Sequence, residues 1–255
     1  MRVLLLIIFG MLVVRSGAAE PAGCGPRYVD GEVRNCFCVF DDRDYAECRQ
    51  GLRERCQEIA DCVGPSLRDR PLLEAAARGD LGGINRAFSA LDQAARRQAG
   101  ELALCTAVAI GHLAAADALI DLGISPDARG GGGMPALLYP NGHRLPMLRL
   151  LLDRGANPDA AGGADITALI AATHEGLSAE ARLLLERGAD PNAATSITGA
   201  TALIYAASNG DLELVRELLN RGARPDHKDQ SGRTASDVAR DGGHEEILRT
   251  LEAHR

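Results

Sequence analysis

Two kinds of hydrophobic patterning divide the chain. Val3 to Val14 is an unbroken apolar run of twelve residues after a positive Met1-Arg2 start. From residue 70 onward apolar positions instead recur at helical spacing, with glycines at regular intervals. Leu214, Val215, Leu218 and Leu219 form the stripe of one such helix, and Leu183-Leu184-Leu185 that of another. Between the two regions, Asp41 to Val63 reads as a helix with Asp residues at its N-cap and Leu52, Cys56 and Ile59 on one face. Asn35 to Phe40 reads as a short strand that points Cys36 and Cys38 to the same side. Gly64-Pro65 ends the helix and marks a linker.

The regular region repeats itself with a period near 33 residues, which takes precedence over any local motif. The clearest unit opens Thr201-Ala-Leu-Ile-Tyr-Ala-Ala-Ser-Asn-Gly210 and closes Leu218-Leu-Asn-Arg-Gly222-Ala-Arg-Pro-Asp226. The unit before it runs from Thr167 through Gly176 to Leu183-Leu-Leu-Glu-Arg-Gly188-Ala-Asp-Pro-Asn192. Closing glycines at Gly123, Gly155, Gly188 and Gly222 lie 32, 33 and 34 residues apart, and units start near Arg70, Leu102, Met134, Thr167, Thr201 and Thr234. Thr167, Thr201 and Thr234 are placed to cap first helices through their hydroxyls. Ala171-Ala172 and Ala206-Ala207 are small enough to let neighbouring helices approach. Gly79, Gly111, Gly176, Gly210 and Gly243 supply the positive φ that ends the first helices.

These residues resemble the ankyrin repeat, which opens T-P-L-H-x-A-A-x-x-G-H and closes L-L-x-x-G-A-D-x-N. The resemblance spans residues 70–255 and implies an all-α solenoid of about six helix-turn-helix units. Each unit leaves an apolar face for its neighbours to cover. Asp69 to Asp80 resembles a polar N-terminal cap, and Gly232 to Arg255 a shortened, charged C-terminal one. The family's first-helix His is replaced by Cys105, Leu138, Ile170 and Ile204. The third unit departs furthest, with four glycines at Gly130 to Gly133 and prolines Pro140 and Pro146 where helices would run. Its first helix is expected to be short or broken.

The N-terminal run is too short to span a bilayer, since twelve helical residues cover roughly 18 Å of a ~30 Å core. With Gly17 and Ala19 ahead of Glu20 it reads as a signal peptide over residues 1–19; an uncleaved anchor and a buried core helix are the alternatives. Pro21-Ala22-Gly23 fits poorly with lipidation at Cys24. Six of the seven cysteines follow in a short stretch: Cys24, Cys36, Cys38, Cys48, Cys56 and Cys62. In an exported chain such a cluster reads as a disulfide framework over residues 20–66, with pairing left open. Zinc is the rival, but the intervals of 11, 1, 9, 7 and 5 residues lack paired knuckles and no His is near. A redox reading would want C-x-x-C beside a βαβ pattern, and neither occurs. The organisation expected is therefore a leader (1–19), a Cys-rich segment (20–66) and a repeat domain (67–255). Export to a bacterial periplasm is expected first, and to the extracellular space second.

Composition narrows the function. Aromatics are 3%, Trp is absent and the formal charge is −7, all of which disfavour nucleic acid as a partner. Loss of the leader removes Arg2 and Arg15, leaving 26 basic against 35 acidic residues and a net charge of −9. No second stretch is apolar enough to form a stable membrane span. No G-x-S-x-G, H-E-x-x-H, Walker loop or dinucleotide fingerprint is present, so no enzyme, cofactor or metal is expected. Gly130 to Gly133 lacks the Lys and strand–helix context of a phosphate cradle and reads as a flexible turn. His112 and His244 sit in the repeat's Gly-His turn and read as structural. His174 beside Glu175 reads as an exposed inner-face residue, with a pH-sensitive contact as the alternative. Cys105 reads as a buried small hydrophobe.

Arrays of the resembling kind present a concave face built of fingertips and first helices, which implies another protein as partner. By position that face carries Arg78, Thr106, Ile110, Arg129, Tyr139, His174, Glu175, Tyr205, Ser208, Asn209, Lys228 and Arg233. The longer finger Ala193 to Gly199 adds exposed Ile197. The expected function is a non-catalytic interaction scaffold in an exported compartment. Redox or metal chemistry in the Cys-rich segment is the alternative, as is a protective role against a secreted toxin or oxidative stress, which rests on compartment and fold analogy.

Overall fold

The computed structural model describes residues 70–139 and 144–254, and of the earlier region the backbone of residues 28–29 and 32–33. The leader, the clustered cysteines, the expected strand at 35–40 and the expected helix at 41–63 lie outside the described residues. Two short strands, β1 (Tyr28–Val29) and β2 (Glu32–Val33), pair antiparallel with Tyr28 opposite Val33.

Eleven α-helices follow among the described residues. They are α1 (Arg70–Arg78), α2 (Leu81–Ala90), α3 (Gln93–Ile110), α4 (Leu113–Asp121), α5 (Arg144–Asp153), α6 (Ala168–His174), α7 (Ser178–Glu186), α8 (Ala202–Asn209), α9 (Leu212–Asn220), α10 (Ala235–Asp241) and α11 (Glu245–Glu252). They form two compact bodies: residues 70–124 with Ala128–Gly133, and residues 134–254 with Ser125–Asp127.

Each body is built in two layers. In the first, α1 packs on α3 and α2 on α4. In the second, the 3-10 turn Ala136–Leu138, α6, α8 and α10 touch in series, while α5, α7, α9 and α11 form the other row. The rows meet through one continuous core of Leu169, Leu184, Leu185, Leu203, Leu214, Leu218, Ile247 and Leu251, with Ala172, Ala206 and Ala207 at the close approaches. Full burial of one such aliphatic side chain is worth about 1.5–3 kcal/mol.

Both rows of predicted glycines are in the left-handed region: φ is 68–89° at Gly79, Gly111, Gly176, Gly210 and Gly243 and 87–92° at Gly123, Gly155, Gly188 and Gly222. At Gly79 and Gly210 space is limiting as well. An added Cβ would sit 3.1 Å from the His112 ring and 2.7 Å from the His244 ring, each His belonging to the following unit. His112 Nε2 also meets the Ala77 carbonyl at 3.0 Å, so the two Gly-His turns are structural, as expected. Between α7 and α9 the device differs: the Ser178 hydroxyl bonds the Asp211 carboxylate, whose other oxygen accepts the Leu214 N–H at 2.9 Å.

Outer loops and fingers add polar links between units. Asp127 accepts the Asn157 N–H at 2.7 Å, Asp159 the Asp190 N–H at 2.8 Å, and Asn192 the Arg224 N–H at 2.9 Å. On the finger side, the Ser196 N–H donates to the Ala164 carbonyl at 3.0 Å and the Gln230 N–H to the Thr198 carbonyl at 2.8 Å. Each contributes about 1 kcal/mol net and sets the spacing between units.

Four expectations are corrected. The second unit's first helix starts at Gln93, nine residues before Leu102. Asp92 caps it by accepting the Ala95 N–H at 2.9 Å, and Gln93 to Ala99 contains nothing that would break a helix, while the single Gly100 costs only about 1 kcal/mol. Pro146 sits in the first turn of α5, where its missing N–H costs nothing, so it does not break that helix. Thr167 caps through its hydroxyl and Thr234 forms a full capping box with Asp237, but the Thr201 hydroxyl caps nothing. Thr201 instead bridges Ala194 across the base of its finger. The last unit is a complete helix pair rather than a shortened one. Among the described residues the third unit's first segment holds a single 3-10 turn at Ala136–Leu138, and Pro140, with the rest of residues 140–143, lies outside them. The Thr234 N–H holds the Asp237 carboxyl below its usual range, so this cap is in place at neutral pH and is lost on acidification through that lowered value.

Two stability outcomes follow. A Cβ on Gly100, inside α3, would lie 2.2 Å from Ile124 Cδ1. Gly100→Ala is expected to destabilise by about 1–2 kcal/mol in urea melts, because overpacking outweighs the gain in helix propensity. Ile124→Val in the same chain should make the combined cost less than additive. Ala164 holds φ 62° without being glycine, so Ala164→Gly should leave stability unchanged or raise it by up to about 1 kcal/mol.

Candidate functional site

The shortened first segment of the third unit shapes the second body locally. Among the described residues, the element this unit sets against α6 is a single 3-10 turn. A cavity of about 260 Å³ opens there. Its floor is aliphatic: Leu148 from α5, Ala168 and Ala172 from α6, and Leu184 from α7, all buried. Met134 lines it from just ahead of the 3-10 turn, Leu137 and Leu138 from the turn itself, and Ile166, Thr195, Ile197 and Thr198 from two fingers.

The finger from Gly162 to Ile166 is unusual. The Gly162 N–H donates to the Ile166 carbonyl at 2.9 Å, closing a tight loop in which Ala164 and Asp165 both take positive φ, 62° and 55°. Neither is glycine, so the backbone is held in a conformation L-residues avoid. A Cβ on Gly162 would come within 2.8 Å of Leu138 Cδ1, which fixes how closely this finger approaches the 3-10 turn.

The polar members of the lining are few. His174, the last residue of α6, and Tyr205 of α8 meet edge to face with centroids 4.9 Å apart and planes at 87°. Both are half-buried. Glu175 and Glu180 are the acidic residues of the lining, and neither Lys nor Arg is among the residues described there. The arrangement can hold an apolar group beside negative charge. It offers no pairing of a nucleophile with a base.

Of the sequence-predicted face, the cavity gathers His174, Glu175, Ile197 and Tyr205. Ile197, at a finger tip, is 53% exposed. Tyr139 follows the 3-10 turn and is half-buried, outside the lining. Ser208 and Lys228 are exposed elsewhere in the second body. Asn209 and Arg233 carry structural bonds: Asn209 Nδ2 donates to the Thr173 carbonyl at 2.7 Å, and Arg233 pairs with buried Asp229 at 3.2 Å. Arg78, Thr106, Ile110 and Arg129 belong to the first body. There Arg78 pairs with Glu74 at 3.5 Å, the Thr106 hydroxyl donates to the Leu102 carbonyl at 2.8 Å, and Arg129 donates to the Gly133 carbonyl at 2.7 Å. Ile110 is 41% exposed at the end of α3.

The lining residues Met134, Leu137, Leu138, Ile166 and Ile170 were not on the predicted face. A signal for two of them was present. Leu138 and Ile170 stand where the resembling repeat has its first-helix His, so two neighbouring units offer aliphatic side chains in place of imidazoles. Cys105, at the same position in the second unit, is buried with its Sγ 3.7 Å from the Ala128 carbonyl. Burial first, and then the charge of Glu101, push its thiol up to about 12, so it stays protonated and unreactive at neutral pH. Among the described residues, no group of three or more His, Cys, Asp or Glu is placed to hold a metal ion. None of the described helices is long and apolar enough to cross a membrane.

Comparison with known proteins agrees with this geometry. A family model described as ankyrin repeats in three copies matches residues 168–254. The crystal structure of an ankyrin repeat domain from Acinetobacter baumannii superposes with a TM-score of 0.64 at 30% identity, covering 72% of this chain and 97% of that one. Over 58 residues the chain is 45% identical to the mitochondrial disaggregase of Homo sapiens, a stretch that is 23% of this chain and 8% of that protein. With the repeat pattern, the two-layer helix stacking and these matches in agreement, the chain belongs to the ankyrin-repeat family.

Proposed function

We propose that this chain is an exported scaffold that holds another protein on the finger and first-helix side of its second body and catalyses no reaction. The observation that carries the reading is the apolar, acid-rimmed cavity beside a row of fingers tied edge to edge by backbone hydrogen bonds. A surface fixed in this way binds without first having to order itself. Support for export comes from the Val3–Val14 run and the cysteine cluster. Redox or metal chemistry in residues 20–66 is the second reading, because six cysteines lie within them.

Two measurements test these proposals. Ser208→Arg combined with Lys228→Glu alters two exposed positions outside the cavity. Partners would be identified by mass spectrometry of the tagged full chain recovered from the exported fraction of its host, and their affinity then measured with purified proteins. The double variant should weaken binding at least tenfold, whereas unchanged affinity removes this face from consideration. For the cysteines, the exported chain denatured without reductant should titrate about one thiol, Cys105, and all seven after reduction. Several free thiols before reduction, or zinc released with them, would favour the chemical reading instead.

A further inference from the structure

The cavity has the size of a side-chain pocket. Small-molecule sites usually run to about 300–1,000 Å³ and enclose most of the ligand; this one measures about 260 Å³ and opens between two fingers. Its chemistry is divided. Leu138 and Ile166 present half-buried aliphatic surface beside buried Ile170, while Glu180, half-buried in the first turn of α7, belongs to the same lining. With neither Lys nor Arg among the described lining residues, this wall carries negative charge. The chain's net charge of −7 has the same sign, which opposes a second copy as the occupant.

Resting on the scaffold role proposed above, we infer that the cavity receives one bulky apolar side chain from an extended segment of the partner protein, and that an Arg or Lys beside it in that segment pairs with Glu180. The apolar side chain supplies burial and the basic residue selects the sequence. An acidic neighbour in the segment would face like charge in a partly dehydrated site and be rejected.

The test uses the full chain carrying isotope-labelled isoleucine methyl groups. The probes are three capped hexapeptides in a Gly-Ser frame whose central pair is Phe-Arg, Phe-Glu or Ser-Arg, with hexylamine as a fourth. The Phe-Arg peptide should shift the methyl resonances of Ile166, Ile170 and Ile197 and leave Ile110 and Ile247 unmoved. The Phe-Glu and Ser-Arg peptides should bind at least tenfold more weakly. Glu180→Gln should bring the Phe-Arg and Phe-Glu affinities within about threefold of each other, with an otherwise unchanged methyl spectrum showing that the fold is intact.

Three outcomes overturn the inference: no shift of the cavity methyls at millimolar peptide, equal binding of all three peptides, or a charge preference that survives Glu180→Gln. Hexylamine binding as tightly as the Phe-Arg peptide also overturns it, in favour of a small amphipathic cation. The scaffold reading fails separately. If Ser208→Arg with Lys228→Glu abolishes partner binding while no peptide binds the cavity, the scaffold stands and the pocket assignment falls.

Discussion

Every helix pair in this chain leaves an apolar face that its own residues cannot cover, and that constraint organises the rest. Leu184, Leu203, Leu214 and Leu218 are buried in one core shared by neighbouring pairs. Order therefore comes from nearest-neighbour stacking, not from a central core. The small residues follow from the same requirement: Ala172, Ala206 and Ala207 are buried where helices of one row meet. Polar links between loops and between fingers then set the separation that the apolar contacts leave adjustable.

A stack of this kind has a specific vulnerability, and the candidate site exploits it. Beside the 3-10 turn of the third unit, the second row stays continuous through the packing of α5 on α7. The α6 residues lining the cavity are buried Ala168, Ile170 and Ala172 with half-buried Ala171 and His174. Core-type aliphatic side chains thus line a cavity within an array whose second row is unbroken. The strained Ala164-Asp165 finger and the close Gly162–Leu138 approach hold one wall of that cavity in place. Strain of this sort accumulates where a surface is shaped for something other than stability alone.

Much of the fold could be read from the residues because its determinants are local. A glycine that must take positive φ, a Thr ahead of a helix, or a Leu triplet on one face each act within a few positions in sequence. The early start of α3 escaped because Gln93 to Glu101 has strong helix formers but lies outside the repeat consensus that set the expected boundary. Pro146 was misread because proline is disruptive only beyond the first turn, and turn number follows from where a helix begins. The cavity was harder to see. It depends on the 3-10 turn, helices α5 to α8 and two fingers coming together, and no single window of sequence contains all of these. Four of the thirteen residues on the predicted face, Thr106, Arg129, Asn209 and Arg233, are engaged in hydrogen bonds or an ion pair within the fold.

The seams between units are not alike. His112 fills the space over Gly79 and His244 the space over Gly210, but nothing lies within 4 Å of where a Cβ on Gly176 would be, and Ser178 and Asp211 join their two units instead. These three junctions are thus each keyed by a matched pair divided between consecutive units, so the units that share them are not interchangeable modules. Transposing or duplicating a single one would set an imidazole against a neighbour lacking its groove, or leave a carboxylate without its hydroxyl. An array built this way can lengthen cleanly only by copying adjoining units together, seam included.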